Sequence, residues 1–372
     1  MVVTEKWSTI FVVIELVVCF LGIAFNGVVI FTICNCRNVR RRISAPTYLI
    51  LSIAVSDFLS CAIPVPLSIA RHFQKEWPFG LAGCQAHTFM IFLLALVSIT
   101  HLVAISAGKY LTITKSLSRD SYFNKKKVVL IILGSWIYSL AFSVAPLVSW
   151  SRYGLEGKNV TCSVRWDSSL SSDQAYFGVV IFTCYVLPLA VITFCYYKIH
   201  QVSTQIVVNT SHSGGLTMTA TQALLRKHQK TAVYFLAIIA GFLIPWSPYA
   251  AVSLLLVVGR KVSPFATSAC SVLAKISFFL NPLLYAIFNR KFRRRFILSV
   301  PISRLNKVIR PAVVPSVSRT LALWTAPSSE FWLAMVYLVN LYPLLYKPHR
   351  CEQFCRHAVY ADTHPDTLDD CW

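Results

Sequence analysis

One lysine sits where chemistry can be asked of it. The stretch Ser271-Val-Leu-Ala-Lys275-Ile-Ser-Phe-Phe-Leu-Asn281-Pro282-Leu-Leu-Tyr285 lies inside an apolar run from about Phe265 to Phe288, and Lys275 is the only charge in that run. A charged side chain near the middle of a membrane helix costs about 3 kcal/mol by the milder estimates, so it faces the bundle interior and pairs there. An ammonium taken out of water is disposed to lose its proton. A neutral amine in a dry pocket is the nucleophile that condenses with an aldehyde to form a Schiff base. Two structural readings stand beside this one: a lysine ion-paired to hold helices together, and a lysine that snorkels. The basic end of the run, at Arg290, is about four turns away at about 1.5 Å rise per residue, too far for the side chain to reach.

Other polar groups share the apolar stretches. Glu15 and Asn26 fall in the first, Asp57 closes Leu51-Ser-Ile-Ala-Val-Ser-Asp57 in the second, and His87 and His101 fall in the third. An isolated carboxylate in such a helix marks a water, ion or proton network, or is a neutral acid bonded to neighbouring helices. A lone histidine there is more often a packing residue, so His101 is given no role.

The elements that must position these groups are membrane helices. Only 13% of residues are charged and 56% are hydrophobic, with a mean hydropathy of +0.61, which excludes an ordinary soluble domain. Seven stretches are long enough to span: roughly 8–34, 46–70, 84–107, 127–149, 175–199, 230–257 and 264–288. At that length each must be a helix that satisfies its own backbone. Seven residues precede the first span with no basic segment or cleavage site, so no removable signal peptide is expected. Residues 8–298 form the membrane domain in this reading, with 1–7 outside and 299–372 a cytoplasmic tail without an assigned role.

The net charge of +21 is not spread at random. Arg40–Arg42, Lys125–Lys127 and Arg293–Arg295 anchor basic clusters in alternate loops, which sets the N-terminus outside the plasma membrane and the C-terminus in the cytoplasm. The clusters lack the aromatic interleaving that nucleic acid needs, so the partner surface is the bilayer and no nucleic acid is expected. Asn289-Arg-Lys-Phe292-Arg-Arg-Arg-Phe296 suits a short amphipathic helix on the anionic inner leaflet.

Twelve cysteines show no CxxC pair of metal spacing, and no metal site is expected. Cys84 and Cys162 fall on the oxidising side, where a disulfide can form and pin the loop over the bundle mouth. Asn159-Val-Thr161 in that loop is a glycosylation sequon. Pro64 and Pro66 should kink span two, and Pro245 and Pro248 should break the ladder of span six. The Ser/Thr/Gly-rich segment 200–228 reads as a flexible loop.

Asn26, Leu51–Asp57, Cys84 with Cys162, Trp136, Pro188, Trp246-Ser-Pro248 and Asn281-Pro282-Leu-Leu-Tyr285 together resemble the signatures of the rhodopsin-like G-protein-coupled receptors, over about residues 8–298. Lys275, six residues before Asn281, stands where the opsins among them carry the retinal-binding lysine. Gly241-Phe-Leu-Ile, Pro248-Tyr-Ala-Ala-Val-Ser253 and Cys162-Ser-Val-Arg-Trp166-Asp look most like the neuropsin branch. The resemblance implies an all-α bundle of seven transmembrane helices that is not an enzyme. It also implies retinal, 11-cis or all-trans, on Lys275, in a pocket with His87, Trp246 and Tyr249. Asn26, Asp57, Asn281, Pro282 and Tyr285 would form the switch network. Lys109 and Tyr110 would meet a heterotrimeric G protein, with arrestin a further partner.

The chain departs from that pattern in two places. The position one turn below the first disulfide cysteine, an acid in visual opsins, is His87, which supplies no negative charge. A buried Schiff-base cation needs an anion. Glu156, six residues before Cys162, is the first choice, and Glu15 the second, because it lies about 16 Å outward of Asn26 and Lys275 about 9 Å outward of Asn281. A weak or distant anion favours a deprotonated Schiff base, hence a violet- or ultraviolet-sensitive pigment titrating near neutral pH. Second, Gly108-Lys109-Tyr110 replaces an acid, an arginine and a tyrosine. Gly108 holds nothing, and lysine lacks the planar fork of arginine. Either dark activity is high or G-protein coupling is weak or lost. The readings carried forward are a light-sensing receptor, a non-signalling retinal photoisomerase or retinoid-binding opsin, and a ligand receptor whose Lys275 is incidental.

Overall fold

A computed structural model describes residues 2–35, 45–74, 77–114, 124–156, 161–211 and 216–288; for residues 2–6, 35, 45, 113–114, 156, 161, 203, 206–211, 216–235 and 285–288 the backbone alone is described. Two compact units are distinguished, Met1–Ile30 with Ala45–Phe288, and Phe31–Ser44 with Asn289–Trp372. The first is a helical bundle. Of the second only Phe31–Asn35, the end of the first helix, is described. The expected amphipathic helix at 289–296, the tail 299–372 and Asn159 lie outside the described residues.

Among the described residues, seven helical spans are long and apolar enough to cross a membrane. The first is α1 (Val2–Asn35), the third α4 (Gly80–Thr114) and the fourth α5 (Lys125–Val144). Span two is split into α2 (Ala45–Ala62) and α3 (Pro64–Gln74), so the proline kink is a break at Ile63. Pro64 opens α3 because a first-turn proline gives up an N–H that has no partner there anyway. Span five is α6 (Ser171–Ile181), a π-helical turn at Phe182–Val186 and α7 (Leu187–Ser211).

Span six corrects two expectations. It is one continuous helix, α8 (Leu216–Val257), that runs through Pro245 and Pro248 without a break. Prolines in such helices are tolerated where neighbouring groups re-satisfy the backbone, and the carbonyls that lose their donors here are only those of Gly241 and Ile244. The segment 200–228 is mostly helical too, since α7 ends at Ser211 and α8 starts at Leu216. Good helix formers such as Ala223-Leu-Leu-Arg-Lys227 outweigh its serines and threonines.

Span seven is also split, into α9 (Pro264–Lys275) and α10 (Ser277–Phe288). The chain between spans four and five makes a 3₁₀ turn (Ala145–Leu147), then a hairpin of β1 (Tyr153–Glu156) on β2 (Thr161–Val164), with Leu155 opposite Cys162. Ser149 and Ser151, both with φ near +75°, reverse the chain into the hairpin. The Cys84–Cys162 disulfide ties the hairpin to the start of α4, with 5.4 Å between Cα atoms. Tyr153 is fastened in turn by its hydroxyl, which donates to Ser143 O of α5 at 2.8 Å.

Candidate functional site

Lys275 is the last residue of α9. The N–H of Ile276 turns back to Leu273 O at 3.0 Å and that of Phe279 to Ile276 O at 3.3 Å, tight turns that interrupt the helix at the lysine. The side chain is buried, 4% exposed, and Nζ donates to Glu15 Oε1 of α1 at 2.5 Å and to Ser68 Oγ of α3 at 2.6 Å. The Ser68 hydroxyl donates to the same Oε1 at 2.8 Å. His72 Nε2 lies 3.4 Å from Glu15 Oε2. Three elements are therefore fastened at one buried carboxylate, itself 0% exposed. Two charges so far from water are tolerable only with close geometry and added hydrogen bonds, and both are present.

On its other side Lys275 opens into a cavity of about 430 Å³. Its walls are largely apolar, and Ile91, Trp166, Trp246 and Tyr249 line it beside His87 and Lys275. The hairpin residues Cys162, Ser163 and Val164 close it at the disulfide end. The aromatic walls are oriented by hydrogen bonds. Trp166 Nε1 donates to the Tyr249 hydroxyl at 3.2 Å, and Trp246 Nε1 to Ser277 Oγ, just past the break in span seven, at 3.0 Å. His87 packs its ring 5.1 Å from that of Trp77 and is 5% exposed. A concave apolar chamber of this size with one convergent reactive group is what a small-molecule site needs. The buried amine at its end fits a long apolar aldehyde.

A second polar group lies apart from this one. Asp57 accepts from Ser98 Oγ at 3.0 Å and from Asn281 Nδ2 at 2.9 Å, joining α2, α4 and α10. Asn26 Nδ2 donates to Phe278 O at 2.7 Å and Gly22 O at 2.9 Å. Pro282 follows Asn281 inside α10, and of Tyr285 only the backbone, in α10, is described. At the end of α4 away from the disulfide, Lys109 and Tyr110 are half-buried; the Tyr110 ring meets Phe194 at 5.9 Å. Among the described residues no group of three His, Cys, Asp or Glu side chains is placed to hold a metal.

The structure thus brings Lys275, His87, Trp246 and Tyr249 to one chamber, sets Glu15 against Lys275 on the side away from it, joins Asp57 to Asn281 elsewhere, and ties Asn26 to the Phe278 carbonyl of α10. Glu156 is placed by its backbone, paired with Thr161 in β1. Ser68 and His72 were missed. They lie on one face of the outer half of span two, four residues apart, a spacing that marks nothing until Glu15 is placed against it.

The description "7 transmembrane receptor (rhodopsin family)" matches residues 25–285, more than half of the chain. The chain belongs to that family. It is 32% identical to Melanopsin-B of Xenopus laevis over 293 residues, 78% of this chain and 54% of that protein. It is 32% identical to the melanopsin of Felis catus over 286 residues, 75% of this chain and 58% of the other. The chain thus spans a little over half the length of these relatives. Squid rhodopsin, in a crystal structure, shares the fold with a TM-score of 0.71 over 84% of this chain and 89% of that one, at 23% identity. This is an opsin-like receptor of the rhodopsin family.

Proposed function

We propose that the protein is a light-sensing receptor that holds retinal on Lys275 as a Schiff base and signals to a heterotrimeric G protein. The reading is carried by one observation: a single buried amine faces an apolar cavity of about 430 Å³ with one side and a carboxylate with the other. Bound retinal supplies light absorption and isomerisation. The chain's residues do the rest. Lys275 Nζ is the point of attachment, Trp246 and Tyr249 shape the chamber, the hairpin excludes water, and Glu15 Oε1 supplies the negative charge. Glu15 takes this role ahead of Glu156 because it already touches the amine. His87 lines the cavity without adding charge.

The expectation of violet or ultraviolet absorption assumed a weak or distant anion. With Glu15 at 2.5 Å, the protonated, visible-absorbing form is the resting one in this proposal. The melanopsin relatives favour an opsin without favouring the neuropsin branch. The disulfide end faces outside, as an oxidised pair requires, and Lys109 with Tyr110 face the cytoplasm and the G protein.

The test is purified protein mixed with 11-cis or all-trans retinal. A pigment band and an acid-trapped adduct at Lys275, both lost in Lys275→Ala, are expected. No adduct with either isomer overturns the reading. Light-dependent nucleotide exchange on a G protein then separates a receptor from a non-signalling retinal-binding opsin.

A further inference from the structure

The Glu15 carboxylate has two ends, and the site described so far uses one. Oε1 takes Lys275 and Ser68, whereas the buried Oε2 has no hydrogen bond. Facing it at 3.4 Å is His72 Nε2, which is buried and has no hydrogen bond either. The other ring nitrogen, Nδ1, lies 3.3 Å from Ser8 Oγ. Ser8 and Glu15 are seven residues apart on α1, two turns along one face. His72 belongs to the last turn of α3, and its neighbour Phe73 is 73% exposed, so the imidazole stands where the buried cluster meets the disulfide end of the bundle.

We propose that His72 is the proton-exchange partner of Glu15: a proton that leaves Lys275 Nζ passes by way of the Glu15 carboxyl to His72 Nε2, and departs from Nδ1 past Ser8 to the disulfide side. The relay rests on the retinal reading only for its trigger. Among the described residues, the charged and titratable groups that share this cluster with His72 are Glu15 on α1, Arg71 beside it on α3, Lys275 on α9 and His87 on α4. To receive that proton Nε2 must carry its lone pair, so the relay runs through the imidazole tautomer with its hydrogen on Nδ1. When Nζ gives its proton to Oε1, the carboxyl turns about its Cγ–Cδ bond and hands that proton to Nε2. One N–H bond breaks and one forms; the carboxylate is regenerated and the net charge of the cluster is unchanged. Glu15 then faces an imidazolium where it faced an ammonium.

The experiment has two arms, both on the full chain in nanodiscs. In the first, ¹⁵N-histidine NMR follows the retinal-free protein from about pH 5 to 9, the range in which imidazoles titrate. The His72 signal is identified by its loss in His72→Gln. Glu15→Gln should lower the proton affinity of His72 by about tenfold or more; an unchanged midpoint overturns the proposal. In the second, the retinal-loaded protein is flashed with a pH dye in the external medium. His72→Gln should slow proton release by about a hundredfold, the low end of what a positioned proton acceptor contributes, and added imidazole should restore it. Release at the parent rate overturns the relay, as does a slowed release that imidazole does not rescue. Should no pigment form, the retinal reading falls and the first arm still decides for or against His72.

Discussion

At the scale of single residues, the site turns on which carboxylate serves Lys275. Glu15 and Glu156 are both within reach on sequence grounds, and separating them needs depth and direction, which spacing along separate helices does not give. The observed contact makes the consequence of each substitution different. Glu15→Gln removes the only carboxylate found on Nζ among the described residues and strands a buried cation. Breaking such a pair costs about 3–5 kcal/mol. In the retinal-loaded protein the same change should move the resting absorption from the visible into the ultraviolet, because the proton loses its stabilising anion. Glu156→Gln should leave the spectrum where it is. A visible band that persists in Glu15→Gln and vanishes in Glu156→Gln would reverse the assignment. The linkage to acidity follows from the same contact. Lowering the pH should restore the visible band of Glu15→Gln, since the imine is then protonated from solution, and a spectrophotometric titration reads this directly.

At the scale of elements, two breaks and one unbroken helix set the mechanics. Span seven is interrupted immediately after Lys275, and Ser277 beyond the interruption holds Trp246 of α8. A disturbance at the amine is therefore one residue from a joint and two from a link to span six. Ser277→Ala should leave the half-buried indole N–H without this partner, at a cost of about 1 kcal/mol, the low end for an unsatisfied donor. It should lower the melting temperature in detergent, while Lys275 still forms its adduct; an unaltered melt would mean that Trp246 finds another acceptor. The joint was not legible from the sequence. Lys275-Ile-Ser carries no proline or glycine, and the interruption is made by packing. The opposite error occurred in span six, where Pro245 and Pro248 were read as a break although helix continues past both. Seven apolar runs and their order needed only length and polarity, so they were read correctly. The hairpin over the cavity was read as a loop because its strands are four residues each and are held by a disulfide and by Tyr153. The chemistry-bearing residues were legible for the same reason the spans were: a charge in an apolar run is conspicuous. Ser68 and His72 were not, because serine and histidine near a helix end are unremarkable until a partner is placed against them.

At the scale of the whole bundle, the amine and the expected G-protein contact lie at opposite ends, so a signal must be carried by elements with two arrangements. The described structure supplies one continuous set of polar links. Trp246 joins α8 to α10 through Ser277, Asn281 four residues further on joins α10 to Asp57 of α2, and Asp57 takes Ser98 of α4. Lys109 lies eleven residues beyond Ser98 on the same α4, about 16 Å along its axis. The Asp57 cluster is thus the place where a change in span seven meets the helix that carries Lys109 and Tyr110. Asn281→Ala removes the donor to Asp57 Oδ2 and touches neither Lys275 nor the cavity wall. It should leave pigment formation and absorption unaltered while changing light-driven nucleotide exchange at least about fivefold, the lower bound of ordinary coupling between sites. Lys109→Arg gives the complementary measurement. A planar guanidinium engages acceptors with a fork that an ammonium lacks, so exchange under light should rise without a spectral shift. If Asn281→Ala moves the absorption band and exchange together, the Asp57 cluster belongs to the chromophore site and is not the link between the two ends.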